Sequence, residues 1–318
     1  MQQYIQRRLL ASVPTLIGIS LLIFIAMRVL PGDPVSFTLS EGQGVHILSE
    51  EQKLQARASL GLDRPYHEQY LSWMGSVLRG DLGTSFWRGE KTADLIARRG
   101  PITAQIAVMA VVLAWLIGVP TGLLSAVVRN STLDYVTRFV VTVFMAVPSF
   151  WLGLMVVLAG VLLFTWRPPL TITYFWDDPI GNLQITLGPA VAMGLGLAAV
   201  LARFTRSACL EALGEDYVRT ARAKGLLERV VILRHVFKNS LLPIITVSGL
   251  ALGGLLGGSV AVERAFGVPG LGLALVFALA ERDWTVIQNL VLLYGVIFTV
   301  VNLAVDLSYA WFDPRIRY

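Results

Sequence analysis

Six long apolar runs leave this chain few ways to fold. They cover roughly Leu9–Leu30, Ile102–Val128, Tyr135–Phe164, Gly188–Phe204, Leu241–Val262 and Trp284–Trp311. A helix rises about 1.5 Å per residue, so runs of this length can cross about 30 Å of hydrocarbon. Inside lipid no water pairs with exposed N–H and C=O groups, so each run must be a helix. Only 15% of the residues are charged and 55% are hydrophobic. Soluble domains carry about 25% charge. The expectation is an all-α integral membrane domain of six transmembrane helices, with residues 1–318 as one unit.

The loops set the orientation. Arg7 and Arg8 precede the first run, which is too long for a signal-peptide core and has no small-residue cleavage site after it. It reads as an uncleaved span with a cytoplasmic N-terminus. Between the fourth and fifth runs and their flanks stand Arg203, Arg206, Arg219, Arg222, Lys224, Arg229, Arg234 and Lys238, against Glu211, Glu215, Asp216 and Glu228. That is a surplus of four positive charges. The loops at Thr165–Leu187 and Glu263–Asp283 each carry one more acidic than basic residue. The positive-inside rule then puts the basic loop, 207–242, in the cytoplasm, with both termini and the tail Arg315–Arg317. The long loop 31–101 carries eight basic residues, yet it falls outside, because the rule weakens beyond about 60 residues. Within it Pro31-Gly32-Asp33-Pro34 reads as a rigid turn. Ser49 with Gln52 resembles a capping box opening a helix over Ser49–Leu60, and Tyr66–Leu78 reads as a second helix. Trp73, Phe86 and Trp87 suit a membrane interface.

Chemistry-bearing motifs are scarce. A phosphate-cradling P-loop needs Gly directly before Lys, and the four lysines follow Gln52, Glu90, Ala223 and Phe237. The single Cys209 permits no intrachain disulfide, and His46, His67 and His235 are far apart in sequence. The net charge of +5 reflects cytoplasmic loops rather than a nucleic-acid surface. Arg28 and Asp306 lie near span ends, where they can snorkel or pair, and Gln288, Asn289 and Asn302 suit interhelical hydrogen bonds. In the fifth run Gly249, Gly253 and Gly257 repeat every four residues. Small residues at that spacing allow close helix packing, and the stripe also fits a subunit interface or a moving pathway. Beyond it, Pro269 with Gly270 and Gly272 forces a bend. Leu271–Ala280 is too short to span, so it is either a half-inserted or surface helix or a structured loop.

The polar island Glu211–Pro243 has the periodicity of a folded element. Leu210, Leu213, Tyr217 and Ala221 share one helical face, and Glu215 and Arg219 form an i,i+4 pair. Lys224 suits the last turn, and Gly225 suits the left-handed position after it. Leu226, Val230, Leu233 and Phe237 again share a face. Two short amphipathic helices joined at a glycine hinge follow, either lying on the membrane surface or docking a cytoplasmic partner.

Tyr217-Val-Arg-Thr-Ala-Arg-Ala-Lys-Gly225, Arg234-His235, Asn239 and Leu242-Pro243 resemble the cytoplasmic loop of ABC importer permeases of the dipeptide/oligopeptide/nickel branch. Leu30–Pro34, Leu60–Pro65, Arg79–Ser85, Val147–Ser149, Val268–Gly272 and Asp313–Tyr318 carry the same resemblance across nearly the whole chain. It implies a type I ABC importer permease fold in a bacterial or archaeal plasma membrane. The loop would be a coupling helix that docks on an ATP-binding cassette subunit. The coupling residues would be Glu211, Tyr217, Thr220, Ala221, Ala223, Lys224, Gly225, Arg234 and His235. Gly249, Gly253 and Gly257 would serve packing or the pathway, and Pro269, Gly270 and Gly272 an extracytoplasmic gate. The implied partners are a second related permease, two cassettes, an external substrate-binding protein and membrane lipid, with no nucleic acid. ATP and Mg would belong to the cassettes, so this chain would be a transporter subunit without cofactor or active site. The implied cargo is peptide, with nickel, glutathione or oligosaccharide as alternatives. A channel or scaffold without ATP coupling would leave the island unexplained. One departure stands at Phe237-Lys238, where the broader importer loop has a Leu-Pro step, so a less kinked helix end is expected here.

Overall fold

The computed structural model describes residues 2–29, 61–165 and 171–312, together with Glu51, Leu54 and Arg57. The turn at Pro31–Pro34, the capping box at Ser49 and Gln52, most of the helix expected over 49–60, Arg167 and the tail 313–318 lie outside the described residues. The described chain is helical, apart from one isolated bridge between Thr84 and Lys91. Its helices are α1 (Gln2–Val29), α2 (Tyr66–Leu78), α3 (Thr92–Val127), α4 (Thr132–Ala146), α5 (Ser149–Phe164), α6 (Pro179–Leu213), α7 (Asp216–Ala223), α8 (Lys238–Phe266), α9 (Leu271–Glu281) and α10 (Trp284–Phe312).

Among the described residues five helices are long and apolar enough to cross a membrane, and two bent pairs can each supply one more. The first bent pair corrects the sequence reading. The run 135–164 is not one straight helix: α4 and α5 meet at 95°. The cause is local. Val147 precedes Pro148 and is extended (ψ 123°), because the proline ring clashes with a helical residue before it. The second pair is the end of α8 against α9, bent by 88°.

The centre of the bundle is the pairing of α3 with α6, the most extensive helix contact among the described residues. Ala110, Ala114, Gly118 and Gly122 present one small residue per turn along α3. Gly194, Ala198 and Ala202 do the same on α6. A Cβ on Gly118 would run into the Ala198 carbonyl, and one on Gly122 into the Ala202 carbonyl. Backbones this close gain dispersion contacts that larger side chains would forbid. The starts of both neighbours are fixed by caps. Asp178 Oδ1 accepts from Gly181 N at 3.1 Å ahead of α6, whose first residue is Pro179. Ser131 Oγ accepts from Asp134 N at 3.2 Å ahead of α4.

The long loop folds back on the bundle. Its α2 matches the expected Tyr66–Leu78, and it packs on α1 through Phe24, Tyr70 and Trp73. Arg28 pairs with Gln69 Oε1 at 2.8 Å rather than snorkelling, and Asp306 pairs with Arg8 at 3.0 Å. Asn289 donates to the Leu82 carbonyl at 2.7 Å and accepts from Trp73 Nε1 at 3.2 Å. Trp73 is therefore held against α1 and α10.

Candidate functional site

The island begins where α6 ends. Helix α6 continues to Leu213, turns at Gly214, and α7 starts at Asp216. Leu210 and Leu213 therefore belong to α6, and the face expected to run from Leu210 to Ala221 is split between two helices. The inward face of α7 is Val218 and Ala221, which pack with Cys209, Ala212, Ala126, Val231 and Val236 in a small core under the loop. Tyr217 is exposed. Arg219 pairs with Asp216 at 3.3 Å, one turn back, and not with Glu215.

Gly225 has φ +75°, the left-handed conformation expected of it. The N–H of Gly225 bonds the Arg222 carbonyl at 2.9 Å, and the N–H of Leu226 bonds the Ala221 carbonyl at 3.4 Å. These two bonds are the Schellman closure of α7. A Cβ at Gly225 would meet nothing within 4 Å, so torsion and not space selects glycine here. Across the turn Arg222 forks onto Glu228, at 2.6 and 3.2 Å. This bond raises the guanidinium pKa of Arg222 above its usual value.

The second half departs from expectation. There is no separate short helix. A single turn, Glu228–Val230, passes into a π-helical stretch, Val231–Phe237, which runs directly into α8. In a π-helix the hydrogen bonds span five residues, i to i+5, so residues five apart lie near the same face. That explains why Val231 and Val236 are the buried pair, whereas Leu226, Val230 and Leu233 are exposed. The expected face of Leu226, Val230, Leu233 and Phe237 assumed α-helical spacing. The missing Leu-Pro step at Phe237-Lys238 agrees with this unbroken helix.

The geometry sorts the named coupling residues. Glu211, Tyr217, Thr220, Ala223, Lys224, Gly225 and Arg234 lie on the outward surface, and His235 is half-buried. Ala221 is buried and packs in the core under the loop, so it fixes α7. Around the exposed group stand Leu226, Leu227 and Leu233 among Arg219, Arg222, Lys224 and Arg229. Two of these cations are paired on the surface, Arg219 with Asp216 and Arg222 with Glu228.

Below the loop, Arg206 of α6 holds Asp134 of α4 with two bonds of 2.9 Å, and Ser125 of α3 donates to the same carboxylate at 2.6 Å. Asp134 is fully buried. This cluster ties three helices together under the loop. Arg206 was visible in the sequence as one island charge among many, while Asp134 carried no signal beyond its place after Ser131.

At the opposite end Pro269, Gly270 and Gly272 form the bend between α8 and α9. The helix Leu271–Glu281 is neither a surface helix nor a loop: Leu271, Ala274, Leu275 and Ala278 are buried against Ile23, Leu95 and Ile287. Its N-terminus is capped by Glu263, whose Oε2 accepts from Leu273 N at 3.0 Å and whose Oε1 accepts from Thr103 Oγ1 at 2.8 Å. Thr103 in turn accepts from Leu271 N at 2.8 Å. A carboxylate there meets the positive end of the α9 dipole. Gly270 and Gly272 are required by this approach, since a Cβ on either would strike Glu263. Nearby, Asp283 accepts from Ser85 Oγ at 2.5 Å. The glycine stripe of α8 divides in use. Gly249 packs on Val305 and Gly253 on Phe298, both of α10, while Gly257 is exposed with nothing in reach.

The comparisons with known proteins decide what kind of chain this is. The family model for the binding-protein-dependent transport system inner membrane component matches residues 118–318, and the model of its N-terminal part matches residues 1–107. The chain belongs to this family. It is 38% identical to the oligopeptide transport system permease protein AppB of Bacillus subtilis, with all of both chains covered. It is also 38% identical to the dipeptide transport system permease protein DppB of Escherichia coli K12, over 100% of this chain and 99% of that one. A putative peptide transport system permease protein of Brucella abortus is 36% identical over the full length of both. Among solved structures, an inward-facing MetNI methionine ABC transporter chain superposes with a TM-score of 0.57 at 19% identity, covering 69% of this chain and 96% of that one. That likeness speaks for the fold. As a member of this family the chain is a multi-pass permease that works with a binding protein.

Proposed function

We infer that this chain is one half of the translocation pathway of an ATP-driven importer of di- or oligopeptides. A second, related permease completes the pathway, an external binding protein delivers the peptide, and two cassette ATPases supply the energy. The peptide assignment is supported by full-length relatives whose names are peptide permeases. The observation that carries the mechanism is the α7–Gly225–Glu228 turn. Its inner face is locked to α3 and α6, and its outer face is exposed. A push on the outer face by a closing cassette pair therefore passes into α6 and, through the unbroken π-helical stretch, into α8. The island lies in the cytoplasm in this reading, and six spans place both termini there in a bacterial or archaeal plasma membrane. The α8–α9 bend at Pro269–Gly272 is the outer gate, and loop 31–101 meets the binding protein.

The test is uptake by the reconstituted complex in vesicles. Labelled dipeptide should accumulate only with ATP and the cognate binding protein, and unlabelled peptides should compete while nickel, glutathione and oligosaccharides do not. Accumulation of nickel in place of peptide would reassign the cargo.

A further inference from the structure

A cavity of about 320 Å³ opens at the island end of the bundle. It lies between α3, α4 and α6, and its walls include Ser125, Thr137, Arg138, Thr142, Arg203 and Arg206. Gly122 and Ala202 also line it.

The charges of this cavity are not balanced from within. Arg206 is neutralised by Asp134. Arg138 and Arg203 have no carboxylate within ion-pair distance among the described residues. Each instead lies over a ring, Arg138 at 5.3 Å from Tyr135 and Arg203 at 5.5 Å from Phe204. Two guanidinium groups without a carboxylate partner, beside the hydroxyls of Thr137 and Ser207, call for an anion rich in acceptor oxygens. The surroundings restrict which anion. Along α4 the neighbouring residues Val136, Phe139, Val140 and Val143 are all exposed, Phe139 by 71%. The cavity lies between the last turns of α3 and the middle of α4. A ligand that fits must therefore have an anionic head and an apolar tail.

We propose that this cavity binds the phosphate of an anionic phospholipid, with the acyl chains lying along the exposed face of α4. Basic pockets between membrane helices take lipid head groups on these terms. A zwitterionic lipid fits poorly, because its ammonium group would be brought up to Arg138 and Arg203.

The experiment is lipid titration of the assembled transporter, read by native mass spectrometry, with phosphatidylglycerol and phosphatidylcholine as probes. Wild type should bind phosphatidylglycerol at least tenfold more tightly. Arg138→Gln with Arg203→Gln should weaken phosphatidylglycerol binding about thirtyfold, given the usual contribution of each cation near an anionic head group. The Arg138→Lys, Arg203→Lys pair should lose far less, and Arg7→Gln should change nothing. Equal binding of the two lipids by wild type would overturn the proposal. So would unchanged phosphatidylglycerol binding in the Gln pair at an unchanged thermal midpoint. If the Gln pair does not fold, the wild-type lipid preference and the Lys pair decide. Binding by the isolated chain but not by the assembled complex would show that the second permease covers the cavity, and that too would overturn it.

Discussion

The two ends of this bundle use the same residue types for opposite purposes. At the island end Arg222 and Glu228 pair in the open, across a glycine turn whose neighbours are exposed. At the far end Glu263 is fully buried and bonds to Thr103 and the α9 backbone, with glycines that make room for it. An exposed ion pair contributes little to stability, because water already solvates both partners. A buried carboxylate is costly to strand and so fixes the segments that satisfy it. The island end is thus free to be shaped for a partner, and the hairpin end is shaped by its own interior.

Variants at the two ends separate these roles. The largest effect is expected just beneath the island, where the contrast would break if all charge there were decorative. Arg206→Ala leaves Asp134 buried without its cation and should cost about 3–5 kcal/mol, read as a lower thermal midpoint of the purified chain. Glu263→Ala orphans the Thr103 hydroxyl and the Leu273 amide and should cost about 3 kcal/mol, with Glu263→Gln recovering part of it. Asp283 gives a pH effect. Burial holds its carboxyl above the ordinary value of 3.8, against the bond from Ser85, which pulls it down. The folded chain therefore binds this proton more tightly than the unfolded chain. The stability it brings is complete below the ordinary value and is lost as pH rises through the folded one. Asp283→Asn keeps an acceptor for Ser85 and should flatten the pH dependence of the midpoint above pH about 4. Smallest of all, Arg222→Ala should cost no more than about 0.5 kcal/mol, read as a nearly unchanged thermal midpoint.

Much of the island was legible in the sequence, and the reason is the strength of its local signals. Gly225 after Lys224 announced a helix end, and the backbone there is left-handed as expected. The π-helical stretch was not legible, since spacing rules built on 3.6 residues per turn put Leu226, Val230, Leu233 and Phe237 on one face, whereas the structure buries Val231 and Val236. The break at Val147-Pro148 was in plain sight, but apolar residues continue on both sides and composition alone read through it. The glycine stripe of α8 drew attention because it is made of glycine. The tighter seam between α3 and α6 mixes glycine with alanine, and it shows only when both helices are seen together. Glu263 looked like one loop charge, because the partner that makes it structural, Thr103, lies 160 residues away.

The central claim is that the energy for transport enters through the turn at Gly225. Gly225→Asp tests it most directly, since a Cβ there meets nothing within 4 Å and aspartate tolerates the left-handed conformation better than most residues. The variant should fold and reach the membrane, while its carboxylate lies on the exposed face of the turn. The measurement is peptide transported per ATP hydrolysed by the complex in vesicles, with Gly225→Asn as the uncharged control. The account predicts that this ratio falls at least tenfold for Asp and far less for Asn. A wild-type ratio in Gly225→Asp, with the cassettes still bound, would contradict it.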